Sequence, residues 1–399
     1  DVKSLKRRSK RVGKGKGRKV SKKKKLKHFY DFSLVVMVFS ITLFGLLMLY
    51  SASGYMAAKS DLGDMYYLTR QGIFALAGFL IMLFLSRFFD YHWLSKLNIL
   101  IYVAAWGALI ATFVMGVASH GSSRWIRIMG VQFQPSELMK PAVIIMLATL
   151  LTDKGYRINS LKAMFRCSLY ALIPAAIVAL TNLSTGIIIV GIAIFMLFVA
   201  VKSYRYHLAL LFATVLGYIG AYPLALFLQK VKILHEYQIT RILAWRDPAS
   251  FPDDTYQTRQ GLYAIASGGI FGKGLGESIQ KFLMPEAQND MIFTIICEEL
   301  GLVGAVGLML VYALILSRLY EIAKNAKDLF GSFLVIGVMA HIALQAILNI
   351  AVASNSIPNT GITLPFVSYG GTSLLILLAE LGLCLNVSWQ TTLDVEKGE

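Results

Sequence analysis

The sequence predicts an all-α polytopic membrane protein of about ten transmembrane helices, with a large extracytoplasmic loop between helices 7 and 8. Three observations predict it. Of 399 residues, 56% are hydrophobic and 15% charged, with a mean hydropathy of +0.63, against roughly 45–50% apolar and 25% charged in a soluble domain. Apolar stretches close to the ~20 residues that a helix needs to cross the hydrocarbon core recur from Phe32 to about Asn386. The basic excess is concentrated at one end of the chain, and most of the rest is nearly balanced in charge.

Residues 1–31 read as a basic cytoplasmic tail. Positions 1–27 hold 15 Lys and Arg against Asp1 alone, which leaves 24 basic and 21 acidic residues for the remainder. So few apolar residues cannot bury a core, and the stretch is expected to be disordered and to lie on anionic lipid. No stacking aromatics interleave its lysines before Phe29, so the formal charge of +17 does not point to nucleic acid. The predicted spans are 32–52, 71–88, 95–117, 137–152, 166–182, 184–201, 207–229, 291–317, 330–353 and 364–387, with only the polar "TNLST" (181–185) separating the fifth from the sixth. These fill a membrane domain over 32–390, followed by a short tail, 391–399. The Lys/Arg-rich loops 153–166, 202–207 and 318–328 fall on the side of the basic arm, so the positive-inside rule places both termini in the cytoplasm. The first span is too long for a signal-peptide core and reads as a retained anchor. A chain that opens on Asp1 rather than Met is expected of a processed or trimmed protein. Cys167, Cys297 and Cys384 fit neither a metal site nor a disulfide framework. No internal repeat is evident, which disfavours the inverted-repeat transporter folds.

With this topology the outward loops are 53–70, 118–136, 230–290 and 354–363, and the third is long enough to be functional in its own right. Within it, Tyr256 to Ser267 predicts an amphipathic helix at the membrane surface. Gly268 to Gly276 then offers either a backbone able to approach a ligand closely or a plain flexible turn. Ionisable residues gather outward at the lipid boundary: Arg70, Arg124, Arg127, Glu137, Lys140, Arg246, Lys273, Lys281, Glu286 and Asp290. Pro135 and Ser136 suit a helix start, Glu137 falls in the first turn, and Lys140 shares its face at i, i+3. That pair either neutralises itself inside the bundle or offers a phosphate a cation steadied by a carboxylate. Pro141 is expected to kink the helix. Asp290 opens a span, as an N-terminal cap or as a site residue, and Glu298 and Glu299 lie two turns deeper, where acids normally face a polar interior. Pro365 and Gly370–Gly371 predict a broken or re-entrant element lining protein or water. The residues by themselves imply an outward polar cavity holding carboxylates and cations, for a ligand with anionic groups and a lipid tail.

The segments "RWIRIMGVQFQPSELMK", "QTRQGLYAIASGGIFGKGLGESIQKFLMPEAQNDMIFTIICEELGLVG" and "NTGITLPFVSYGGTSLL" resemble the FtsW/RodA (SEDS) family of peptidoglycan glycosyltransferases, from about residue 32 to 390. "GLGESIQK" is most like the FtsW cell-division branch or its sporulation relative. The resemblance implies a polymerase of lipid II, a disaccharide-pentapeptide on undecaprenyl pyrophosphate, acting on the outer face of the bacterial cytoplasmic membrane. It implies a class B penicillin-binding protein transpeptidase as partner, along with other division proteins. The family's catalytic acid maps onto Asp290. Such a carboxylate takes the proton of the acceptor 4-hydroxyl as it attacks the donor anomeric carbon, and inversion needs no covalent intermediate. The implied substrate-binding residues are Glu137, Lys140, Arg124, Arg246, Arg70, Lys273 and Glu286. Lys140 and the arginines stabilise the departing pyrophosphate, with or without a divalent cation such as Mg or Mn.

Three positions depart from the family pattern. Gln288-Asn289 stands where many relatives have His-Thr, Asn182 replaces an acid in "TNLST", and Pro141 follows the motif lysine. The competing readings are a lipid II flippase and a non-catalytic scaffold of the division complex. Neither needs a general base.

Overall fold

The computed structural model describes residues 27–28, 30–59, 63, 65–115, 117–119, 122–128, 131–154, 161–201 and 236–393, with 208, 212, 216 and 219–220 between the last two. Its helices are α1 (Phe32–Lys59), α2 (Tyr66–Phe88), α3 (His92–Lys96), α4 (Asn98–Met115), α5 (Pro135–Lys154), α6 (Leu161–Thr181), α7 (Leu183–Ala200), α8 (Glu236–Arg246), α9 (Tyr256–Gly268), α10 (Ile292–Lys324), α11 (Leu329–Ala353) and α12 (Gly371–Gln390). Among the described residues, eight helices are long and apolar enough to cross a membrane and α4 holds a shorter apolar stretch. Most of the predicted span 207–229 and most of the basic tail lie outside the described residues.

Several predicted boundaries move. α1 runs on to Lys59, and α10 extends to Lys324, into the loop expected at 318–328. The last span starts at Gly371, so Pro365 and Gly370 precede the helix rather than break it. α5 continues through Pro141 to Lys154. The fifth and sixth spans do separate at "TNLST": Asn182 caps α7, its side-chain oxygen accepting from the Thr185 N–H at 3.3 Å. That gives the Asn a structural task requiring no charge.

α5, α11 and α12 form the centre. In α5, 78% of the spanning window is buried, against 22% in α2, whose apolar side chains face outward as lipid-facing ones do. Close helix contact relies on small residues, as in other membrane bundles. A Cβ on Gly382 of α12 would lie 2.8 Å from the Met82 carbonyl oxygen of α2, and one on Gly78 would meet Leu378 Cδ1 at 2.5 Å. Outside the helices, the loop expected over 118–136 forms an antiparallel meander, β2 (Val117–Ser119), β3 (Ser122–Ile128) and β4 (Val131–Phe133). Strand β1 (Lys27–His28) pairs antiparallel with β5 (Thr392–Leu393), which puts both ends of the described chain on one face. Asp31 adds a 2.7 Å ion pair to Arg318 near the end of α10, on that same face. Cys167, Cys297 and Cys384 are free and buried.

Gly382→Val is expected to destabilise the protein by about 1–3 kcal/mol, because the atoms it meets are backbone that cannot give way. Gly72→Ala on α2, with open space around the added methyl, should stabilise by about 0.5–1 kcal/mol. Thermal unfolding in detergent compares the two.

Candidate active site

Asp290 lies two residues before the start of α10, yet it is not that helix's cap. The N-cap is Met291, with no side-chain capping bond. The Asp290 carboxylate instead turns toward α9, where Gln257 Nε2 donates to Oδ1 at 3.3 Å. The same amide donates to the Pro285 carbonyl at 3.1 Å, and Gln257 Oε1 accepts from Asn359 Nδ2 at 3.2 Å. α8 supplies Arg241. A Cβ on Gly361 would lie 3.8 Å from Asp290 Oδ2 and 3.9 Å from Arg241 Nη1, so all three surround one small space. Gly361 has φ +70°, a conformation that leaves glycine the natural choice there. One turn from Arg241 on the same helix, Trp245 Nε1 donates to the Asn355 carbonyl at 3.0 Å and docks α8 on the 354–363 loop. Ser184 at the start of α7 donates to the Thr360 carbonyl.

Asp290 keeps a solvent-facing edge. Protein nevertheless crowds it closely enough that lost hydration pushes its carboxyl above the usual carboxylate range. Arg241 offsets part of that shift and the neighbouring Glu286 adds to it. Glu286 is exposed, sits at φ +52°, and accepts from Asn289 Nδ2 at 2.9 Å.

The remaining expected site residues are dispersed. Arg70 donates to the Tyr66 hydroxyl at 2.7 Å, within an aromatic group in which Tyr67 meets Tyr369 edge-on at 5.1 Å. The Tyr369 N–H bonds the Gln288 carbonyl at 3.0 Å, which ties that group to the segment bearing Asp290. Arg246 is exposed at the end of α8, and the α8 cation beside Asp290 is Arg241. Arg124 lies on β3, its side chain outside the described residues. Glu137 and Lys140 form the expected i, i+3 pair, 2.9 Å apart, but Lys140 is 1% exposed. It is enclosed in the bundle, donating also to Gln345 Oε1 at 3.2 Å, while Ser373 donates to Glu137 at 2.9 Å. In this conformation the pair neutralises itself inside the bundle, and Lys140 is not offered to an outward phosphate.

Lys273 and the glycines around it do different work from that expected. α10 is broken at Gly301 (φ 66°, ψ −163°), nine residues after its start. The loop after α9 fills the break. Lys273 N–H donates to the Glu298 carbonyl and Gly274 N–H to that of Glu299, both at 2.9 Å. In return the Leu302 and Val303 N–H groups reach the carbonyls of Gly269 and Ile270 at 2.9 and 3.1 Å. Cβ atoms on Gly268 and Gly272 would collide with the Cys297 and Glu299 carbonyls. The close backbone approach is therefore to α10 and not to a ligand. Glu298, wholly buried, takes Lys273 Nζ at 2.6 Å, Ser278 Oγ at 2.5 Å and the N–H groups of Ile279 and Gln280 at 3.2 Å each. Glu299 takes Ser51 Oγ at 2.6 Å and Lys281 Nζ at 3.3 Å. Lys273 is thus a structural clamp partner, and both acids face a polar interior as expected of acids in a span.

Sequence reasoning passed over Arg241, Gln257 and the stripe His341, Gln345, Asn349 on α11. The stripe was visible in "HIALQAILN" as polar residues at helical spacing within an apolar span. Among the described residues, no group of three His, Cys, Asp or Glu side chains is placed to hold a metal ion.

Glu298→Ala should cost about 3 kcal/mol, since it strands a lysine and four other donors, Ser267 Oγ among them, in or near the bundle. It should also open residues 269–283 to limited proteolysis, and adding Lys273→Ala to it should cost little more. Cleavage mapping and melting of the two variants check both statements.

A family model described as "Cell cycle protein", named for FtsW, RodA and SpoVE, matches residues 32–393. The chain is 36% identical to a probable peptidoglycan glycosyltransferase FtsW of Geobacter metallireducens, over 90% of this chain and 94% of that protein. It is also 36% identical to stage V sporulation protein E of Bacillus subtilis, over 90% of this chain and 96% of its relative. Among solved structures, it is similar to a chain of a peptidoglycan synthase complex studied for its coordination of polymerization and crosslinking, with TM-score 0.73 and 29% identity over 90% of this chain and 97% of that one. The rod shape determining protein RodA of Thermus thermophilus gives TM-score 0.64 and 26% identity, over 90% and 96% of the two chains.

Proposed function

Because the chain belongs to the FtsW/RodA/SpoVE family, we propose that this multi-pass membrane protein is a peptidoglycan glycosyltransferase. It polymerises lipid II on the outer face of the bacterial cytoplasmic membrane, in septal cell-wall synthesis, with both termini cytoplasmic. The observation that carries the mechanism is the placement of Asp290: a carboxylate that caps no helix, held by Gln257 and facing Arg241 across the space left by Gly361.

The acceptor 4-hydroxyl loses its proton to Asp290 as its oxygen attacks the donor anomeric carbon. The carbon–oxygen bond to undecaprenyl pyrophosphate breaks on the opposite side, with inversion. A carboxyl pushed above its usual range suits this task, since a stronger base accepts the proton more readily. Arg241 and the exposed Arg246 are the α8 cations for the departing pyrophosphate. The exposed Glu286 carboxylate, close enough to Asp290 to act on its charge, could share a divalent cation such as Mg or Mn with phosphate oxygens and water. Glu286 is the residue that would hold it, and it would supply charge neutralisation on the leaving group. A class B penicillin-binding protein is the partner, with other division proteins around the complex.

Asp290→Asn is expected to abolish glycan strands made from purified lipid II by the complex with its penicillin-binding partner, while substrate binding persists. Undiminished polymer would leave lipid II transport or scaffolding as the better account. The acid limb of the pH–rate profile tests the base more finely. A general base works only when ionised, so activity rises with pH through its raised pKa. Arg241→Gln removes a stabiliser of the carboxylate and should move that limb to higher pH. Glu286→Gln, assayed without divalent cation, removes a like charge and should move it to lower pH.

A further inference from the structure

Asn349 of α11 lies wholly inside the protein, one turn above Gln345 and two above His341. Its Nδ2 donates to two main-chain carbonyls, that of Asp290 at 2.8 Å and that of Ile362 at 2.7 Å. The two segments it joins are the entry to α10, which carries the carboxylate, and the loop whose Gly361 faces that carboxylate. Gln345 repeats the arrangement below, donating to the Thr363 carbonyl at 3.1 Å and to its hydroxyl at 3.2 Å. Its own oxygen accepts from Lys140 at 3.2 Å and faces His341 Nε2 at 3.0 Å, while His341 Nδ1 meets Glu380 of α12 at 2.8 Å. Polar side chains in a membrane helix are costly unless satisfied, and the amide donors of Asn349 and Gln345 are spent on the backbone carbonyls of Asp290, Ile362 and Thr363, while Asn349 Oδ1 is buried without a partner among the described residues.

We propose that Asn349 is a positioning residue for glycosyl transfer: by bridging the Asp290 and Ile362 peptides it sets the direction in which the Asp290 carboxylate faces the acceptor hydroxyl. This rests on the general-base reading of Asp290. The backbone before α10 is a turn, not a helix, so its ladder does not fix that peptide. The side-chain contact to Gln257, at 3.3 Å, is longer than either bond from Asn349. Misplacing a reacting group by about 1 Å costs on the order of 10²-fold in rate.

The test uses the full-length protein in complex with its penicillin-binding partner, the partner's transpeptidase blocked, and lipid II as substrate. Asn349→Leu keeps the size and removes both donors. Asn349→Ser adds no volume and cannot span both carbonyls, so it serves if the leucine variant fails to assemble. For either variant the expected result is kcat per folded complex lower by about 10²-fold, with KM for lipid II within about twofold of wild type. The acid limb should move as well, because the carboxylate shifts relative to Arg241 and Gln257. A purely structural asparagine would change the yield of folded complex and neither of these. Wild-type kcat and an unmoved acid limb in a folded variant overturn the proposal. Asp290→Asn, assayed alongside, separates the two readings. If it polymerises normally, the general-base reading falls and the positioning proposal with it. If it is inactive while the Asn349 variants match wild type, only the positioning proposal falls.

Discussion

The hydrogen bonds at the Gly301 break hold together everything outward of it. A helix interrupted nine residues into a span exposes backbone groups that lipid cannot satisfy, each costing several kcal/mol. Here the loop after α9 supplies two donors and two acceptors to the gap, and the buried carboxylates of Glu298 and Glu299 grip the same loop through Lys273, Ser278 and Lys281. α9, the glycine-rich loop and the nine residues of α10 before the break are consequently bonded into one unit. Asp290 stands at the top of that unit, opposite Gln257 from its own α9, so the distance between them is set by how the break is filled.

The second constraint comes from α11. Its His341, Gln345 and Asn349 run toward Asp290 from a buried contact with Glu380, and two of the three end on carbonyls of the 362–363 segment. A membrane bundle has little hydrophobic force to order its helices against one another, so close packing at glycines and satisfied polar contacts decide the arrangement. α2 and α12 use the first means, at Gly78 and Gly382. α5, α11 and α12 use the second, around Lys140, Gln345 and Glu137. The solvent-facing charges of the proposed site lie at the rim, where Glu286, Arg246 and part of Asp290 meet solvent.

Much of this was legible beforehand, and the failures have a common cause. Among the described residues, helices at eight of the predicted positions are long and apolar enough to span, because hydrophobic length is a local property. The Glu137–Lys140 pair followed from i, i+3 spacing, and Asp290 from its place at the mouth of a span. One break was missed: Pro141 was expected to kink α5, which runs through it, and Pro365 lies in irregular backbone ahead of α12, whereas Gly301, an ordinary residue for a membrane helix, interrupts α10. Proline announces its effect through its own ring. Glycine only permits a break, and whether one forms depends on a distant segment arriving to satisfy it. Lys273 was misread for the same reason, since nothing within the loop shows that its ammonium lies against a buried Glu298.

By itself the sequence determined what local chemistry can determine: the membrane as solvent, the order of the described spans, the families of motifs they carry, and the exceptional position of Asp290. The tertiary structure decided which charges are spent inside the fold and which face outward. It pairs Lys273 with the buried Glu298, turns Lys140 inward onto Gln345, brings Arg241 rather than Arg246 beside Asp290, and makes Asn349 the link between two loops. Pairing of this kind depends on residues far apart in the chain. A buried charge must find its partner wherever packing places one, and spacing along the sequence does not encode that location.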